Sequence, residues 1–235
     1  MKDTAEKILR RIEQCRDHSP VLVFDLDSTL YDIYERGQVI FREAVASFPA
    51  LGPVLQKLAK QRIGWDFLAD FRRAGLTDEA QLQAIHAFWQ ERFFSDAYHV
   101  HDRPMPGAVN FVNRLHDAGA IVCYLTGRDW PNMKTGTVAS LRRFGFPFGT
   151  DRVRLLMKNS QKQPDADHKR AAIAEIRRLG EVIAAFDNEP ELVNLFFDSF
   201  PGALVVWIDS IHSPTAVVPY PAIFRLHDFE MNDDD

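Results

Sequence analysis

Five short apolar runs constrain this chain more than anything else in it. They are Val21 to Asp25, Ala120 to Leu125, Val153 to Met157, Val182 to Phe186 and Ala203 to Ile208. Each is rich in branched or aromatic residues and bounded by polar or turn residues, so each reads as a β-strand. None alternates cleanly between apolar and polar, which is the pattern of strands covered on both faces in a parallel sheet. Helical spacing separates the later runs. Residues 107–118 set Ala108, Phe111, Val112 and Leu115 on one stripe, with Gly107 before it and Gly119 after it. Pro131 opens a segment carrying Val138, Leu141 and Phe144, which Gly145 ends. Asp165 or Asp167 is placed to cap a helix bearing Ala172, Ile173, Ile176 and Leu179, closed by Gly180. Pro190 starts another through Leu192, Val193, Phe196 and Phe197. Alternating strand and helix implies a doubly wound α/β core around a parallel sheet.

Residues 33–103 break that rhythm. Between the first two strands, apolar positions recur at helical spacing: Val39, Ile40, Ala44, Val45 and Phe48, then Leu82, Ile85, Phe88, Trp89 and Phe93. The segment reads as a helical insertion, a small second domain over the end of the sheet, which leaves residues 1–32 and 104–235 as the core. Its aromatics read first as its own core. Trp65, Phe67 and Phe71 could touch a substrate, although packing between the two domains is the commoner fate of such residues. The closing M-N-D-D-D reads as a solvated tail.

Composition narrows the function classes. The 235 residues are 46% hydrophobic and 26% charged, an ordinary globular balance with enough length for a proper core. A net charge of −5 offers no basic field, which argues against nucleic acid as a partner. Of the two cysteines, Cys123 sits inside an apolar run and reads as a buried small hydrophobe, consistent with a reducing cytoplasm. M-K-D-T-A-E-K-I-L-R carries charges where a signal peptide would be apolar, and no run approaches membrane-spanning length. A cytoplasmic protein with no membrane partner is expected.

In an open parallel sheet, ligands bind beyond the carboxyl ends of the strands. The first run ends in Asp25, followed by Asp27, Ser28 and Thr29; the second ends in L-T-G-R at 125–128. The third leads into Lys158, and the fourth ends at Asp187-Asn188-Glu189. Phosphoryl transfer is the chemistry that needs this set. Asp25 can attack phosphorus and form an aspartyl phosphate, splitting one difficult displacement into two. Asp27 can protonate the leaving-group oxygen and then activate water against the intermediate. Close carboxylates repel unless a cation lies between them, and all-oxygen ligation favours magnesium, with Asp187 completing the site. Thr126 and a lysine would hold the remaining phosphate oxygens.

D-L-D-S-T at 25–29, T-G-R at 126–128, a lysine ahead of the fourth strand and F-D-N-E at 186–189 resemble the haloacid dehalogenase superfamily, in the order and spacing of its phosphatase branch. The resemblance covers residues 20–30 and about 104–208, and the insertion matches the position of that superfamily's C1 cap. It implies a Rossmann-like core with strand order 5-4-1-2-3 and Mg2+ as cofactor. Asp25 would be nucleophile and metal ligand. Asp27 would be acid/base and ligand through its carbonyl, and Asp187 the acidic ligand. Thr126, with Gly127, would cradle phosphate. Two lysines compete for the phosphate-binding role: Lys158 directly after the third strand, and Lys169 near the start of the next helix, with Lys169 favoured. Many relatives have paired aspartates in the fourth motif, whereas this chain has Asp187 and Asn188. Asn188 could offer its amide oxygen to metal, and Glu191 could supply a second carboxylate.

Plainer readings stand beside these. Gly127 could simply turn the chain, and Arg128 could be a surface arginine as readily as a phosphate contact. His99, His101 and Asp102 have metal-like spacing, but a solvated hinge accounts for them; His168 and His212 read as solvated positions. Asp27 argues against dehalogenation, and the D-K-T-G of transport ATPases is absent. Hydrolysis of a small phosphorylated metabolite is therefore the expected activity. A phosphotransferase or phosphomutase on the same core, or a catalytically silent binding protein, are the alternatives.

Overall fold

The computed structural model describes residues 2–61 and 64–230; the M-N-D-D-D end lies outside them. Its strands are β1 (Pro20–Phe24), β2 (Tyr31–Asp32), β3 (Arg103–Pro104), β4 (Ile121–Asp129), β5 (Val153–Lys158), β6 (Glu181–Asp187), β7 (Leu204–Ile208) and β8 (Phe224–Leu226). Six of them form a parallel sheet in the order β5-β4-β1-β6-β7-β8. Counted along the five runs read from sequence, this is the expected 5-4-1-2-3. The sixth strand, β8, adds to the edge beside β7, and its half-exposed F-R-L carries none of the apolar signal of the others.

The central strand shows why the runs do not alternate. β1 is buried throughout, with Leu22 and Phe24 packing to one side of the sheet and Val21 and Val23 to the other. One layer is made by α1 (Lys2–Gln14), α6 (Ala108–Asp117) and α7 (Trp130–Phe144). The other is made by α8 (Asp165–Leu179) and α9 (Pro190–Ser199). Helix α1 is an addition to the sequence reading, although Ala5, Ile8 and Ile12 form a buried stripe at helical spacing. Gly145 ends α7 in the left-handed conformation, at φ 80°. The expected aspartate cap of α8 is corrected: Pro164 occupies that position, and the Asp165 carboxylate is held by Lys158 instead. Cys123 is buried among apolar side chains, as expected.

Between β2 and β3 the chain forms α2 (Tyr34–Ser47), α3 (Gly52–Leu58), α4 (Phe67–Arg73) and α5 (Glu79–Phe93). These helices have a core of their own, in which Phe41, Leu55, Phe71, Leu82 and Ile85 are fully or almost fully buried. Asp66 and Asp78 cap α4 and α5, accepting from the backbone N–H of Ala69 and Gln81 at 2.9 and 3.0 Å. The short antiparallel ladder Tyr31–Asp32 against Arg103–Pro104 marks where the chain leaves the sheet and returns to it. No helix among the described residues is long and apolar enough to cross a membrane.

Candidate active site

A cleft of about 710 Å3 opens between the helical cap and the carboxyl ends of the strands. Asp25, Asp27, Gly127, Arg128, Lys158, Lys169 and Asn188 all line it. Asp25 follows β1 directly, and its backbone N–H donates to the Phe186 carbonyl at 3.0 Å, which registers the loop on β6. The chain then turns sharply. Ser28 takes a positive φ of 60°, and the N–H groups of Ser28 and Tyr31 donate to Tyr31 and Leu26 carbonyls at 2.8 and 2.9 Å. A non-glycine residue in that region carries strain, which the closed turn sustains.

Two buried charge clusters flank this turn. In the first, Lys169 Nζ donates at 2.7 Å to Asp25 Oδ1 and at 2.7 Å to Asp187 Oδ2. All three residues are buried, Asp187 completely. Burial first, and the neighbouring Asp187 carboxylate next, push the Asp25 carboxyl up to about 7 against the pull of Lys169. Burial would lower the Lys169 ammonium, but Asp187 and Asp25 hold it well above the ordinary lysine range.

The second cluster has two cations. Arg128 Nη2 reaches Asp27 Oδ1 at 2.5 Å and Asp102 Oδ2 at 2.8 Å. Arg36, from α2 of the cap, reaches Asp27 at 2.9 Å and grips Asp102 through Nε at 2.7 Å and Nη2 at 2.6 Å. Both arginine side chains and that of Asp102 are fully buried, while Asp27 keeps 26% of its side chain open. Burial would raise the Asp27 carboxyl, yet Arg128 and Arg36 overcome it and hold the group well below the usual carboxylate range. Arg128 is therefore not a surface arginine.

Beside this cluster lies His99, only 1% exposed, with neither ring nitrogen hydrogen-bonded. It fits because residue 136 is glycine: a Cβ there would come within 2.5 Å of His99 Nδ1 and 2.4 Å of the Asp96 carbonyl. Burial, then Arg128 and Arg36, push the imidazole far below its ordinary value. The solvated-hinge reading of His99 and Asp102 is corrected, since both are buried. His168 is likewise buried rather than solvated, and His212 is half-buried.

The remaining candidates are placed as follows. Lys158 Nζ is 2.8 Å from Asp165 Oδ1, so Lys169 rather than Lys158 reaches Asp25. Gly127 lies close against Asp165: a Cβ there would fall 2.1 Å from Asp165 Oδ2 and displace that carboxylate. Thr126 is buried, and its hydroxyl accepts from the Arg128 N–H at 3.2 Å. Asn188 accepts from the Thr29 hydroxyl at 3.2 Å and donates to the Ile211 carbonyl at 2.6 Å, so both ends of its amide already brace loops. Glu191 is exposed at the cleft.

No group of three or more His, Cys, Asp or Glu side chains poised for a metal occurs among the described residues. The first cluster nonetheless suits a hard divalent cation. Two buried carboxylates share one ammonium, leaving an excess negative charge on oxygen donors alone. The Asp27 carbonyl, phosphate and water would complete such a shell. Sequence reasoning missed Arg36 and Asp102 as partners, because a charged residue on an amphipathic helix reads as solvated.

The sequence matches the haloacid dehalogenase-like hydrolase family over residues 20–191. No curated protein matches it. Among solved structures, a haloacid dehalogenase-like family hydrolase from Streptococcus pneumoniae is similar with TM-score 0.55 and 12% identity, over 91% of this chain and 95% of that one. A predicted phosphatase from Clostridium acetobutylicum is similar with TM-score 0.54 and 16% identity, over 84% and 88%. Protein Tyrosine Kinase A of Mycobacterium tuberculosis is similar with TM-score 0.52 and 23% identity, over 86% and 93%. At these identities the structural likeness speaks for the fold, while the match across most of the sequence shows that the chain belongs to the haloacid dehalogenase-like hydrolases.

Proposed function

We propose that this hydrolase cleaves a small phosphomonoester, with Asp25 as covalent nucleophile and Mg2+ as cofactor. The observation that carries the reading is the Asp25–Lys169–Asp187 cluster at the ends of β1 and β6, which meets the cleft through Asp25 and Lys169 beside Asp27. An Asp25 oxygen forms the new bond to phosphorus as the ester P–O bond breaks, and the alcohol leaves with a proton from Asp27. Water then attacks the aspartyl phosphate, giving its proton to Asp27 and releasing phosphate from Asp25. Lys169 and the Thr126–Gly127 stretch of β4 steady the phosphoryl oxygens. Mg2+, held by Asp25, Asp187 and the Asp27 carbonyl, would offset the charge of nucleophile and phosphate as they meet.

The structure bears on when Asp27 can act. Gripped by two arginines, it is in the base form needed for the water step. Donating a proton in the first step requires a looser grip. Arg36 belongs to the cap, so cap movement is the motion that would loosen it. The covered cleft suits a small phosphorylated metabolite rather than nucleic acid or a membrane.

Asp25→Asn is expected to abolish Mg2+-dependent phosphate release from a generic aryl phosphate; full activity in that variant would refute the mechanism. Wild-type protein that stays flat across divalent metals would point instead to a binding role.

A further inference from the structure

The cap side of the cleft differs from the core side in kind. Phe67 and Trp89 pack at a tilt of 36° with centroids 4.5 Å apart, Trp89 and Phe93 stack at 5.3 Å and 18°, and Phe94 meets Phe93 edge-on at 5.1 Å. All four line the cleft, so a continuous aromatic wall faces the strand ends that hold Asp25. Trp65 also lines it, is 58% exposed, and has no ring against it among the described residues. An indole left open on the wall of the cleft presents a π face that no ring among the described residues covers.

Charge adds a second constraint. The described cations lining the cleft are Arg128, Lys158 and Lys169, and each is already held by carboxylates: Asp27 and Asp102, Asp165, and Asp25 and Asp187 respectively. The described cap residues at the cleft include no lysine or arginine; the His86 ring packs against Phe67 with centroids 6.1 Å apart, and Asp66 brings a carboxylate. A substrate with a second phosphate or a carboxylate would bring an anion into the aromatic side with no free lysine or arginine among these residues to meet it.

Resting on the phosphohydrolase reading, we infer that the substrate is a phosphomonoester whose remaining part is an uncharged planar aromatic ring system, seated against Trp65 and the Phe67–Trp89–Phe93 wall. A nucleoside and a simple aryl or heteroaryl alcohol share that chemistry. A cleft of about 710 Å3 has room for the phosphate and either ring system.

The test compares kcat/KM of the full chain with Mg2+ across three sets. The first contains nucleoside monophosphates and aryl phosphates, the second glycerol and hexose phosphates, and the third a sugar bisphosphate and phosphoglycolate. The aromatic set is expected to exceed the others by about tenfold or more, the scale of a single ring-stacking contact. Trp65→Ala should shrink that ratio about tenfold. Comparing nucleotides with simple aryl esters identifies which source the wall prefers. Activity with equal or greater efficiency on the aliphatic or doubly anionic sets would overturn this inference and leave the phosphohydrolase reading standing. If no ester is turned over, that reading falls, and ring binding is decided separately: the Asp25→Asn protein titrated with nucleosides and with benzyl alcohol should show tryptophan quenching that Trp65→Ala removes. Unchanged fluorescence in that titration would overturn the inference on its own.

Discussion

The two buried charge clusters on either side of the Asp25–Asp27 turn differ in their balance. Around Asp25 there are two carboxylates and one ammonium, Lys169, so the group carries an excess negative charge. Around Asp27 there are two carboxylates and two guanidiniums, so charge cancels within the protein. The consequences are opposite. The Asp25 carboxyl is pushed up to about 7, while Asp27 is held well below the ordinary range. An incomplete cluster has use for an added cation and a phosphate; a complete one has use mainly for holding its members in place. Two aspartates separated by one residue in a single turn thus sit in different settings because the elements arriving from elsewhere in the chain differ.

The largest expected effect comes from unbalancing the first cluster further. Lys169→Met should lower kcat by about 10²–10³-fold at saturating Mg2+, the scale of removing one preorganised donor from a charged transition state. A steady-state assay beside the wild type reads it directly. Retained kcat would mean that Lys169 only neutralises the resting site. Next, Arg36→Met should cost about 3–5 kcal/mol of stability, because it leaves Asp102 buried with one countercharge instead of two. Urea unfolding measures it, and a change under 1 kcal/mol would show that the second cluster does not lock the cap to the core.

The smallest effect is a pH dependence. His99 is buried in its neutral form, so its folded pKa lies below its unfolded value of about 6.5. The unfolded chain takes up the proton first. The stability from neutral His99 is therefore complete above about 6.5 and lost as pH falls, by about 1.4 kcal/mol per unit. Other groups titrate in the same window, so the quantity to follow is the stability difference between wild type and His99→Gln at several pH values. That difference should shift in favour of the variant from pH 7 to pH 5; a constant difference would mean that His99 charges freely in the fold.

What could be read from the sequence follows from how local each signal is. The five strands announced themselves because both faces of each are covered, and strand ends in an open parallel sheet point to one place. Asp25, Lys169 and Asp187 could be brought together on paper by that rule, although choosing Lys169 over Lys158 took the contact of Lys158 with Asp165. The second cluster was out of reach. Arg36 and Asp102 are 66 positions apart, one on the first inserted helix and the other after the last, where nothing in spacing or composition separates a buried arginine from a solvated one. Trp65, Phe67 and Phe71 were alike in sequence as substrate contacts or packing residues, and only the finished cleft separates them: Trp65 is 58% exposed while Phe71 is fully buried. The edge strand β8 is too short and too exposed to carry a pattern.

The arginine shared between cap and core has a further consequence, for how such chains can be recombined. An inserted domain joined at two points invites treatment as an interchangeable part, to be exchanged among relatives to change selectivity. Here Arg36 travels with α2–α5 while Asp27 and Arg128 stay in the core and Asp102 sits at the return of the chain, just before β3. A graft lacking an arginine at that position would leave Asp102 half-compensated in the interior and Asp27 under a single guanidinium. The transplant would then change the charge setting of Asp27, whatever its own aromatic wall was chosen to bind.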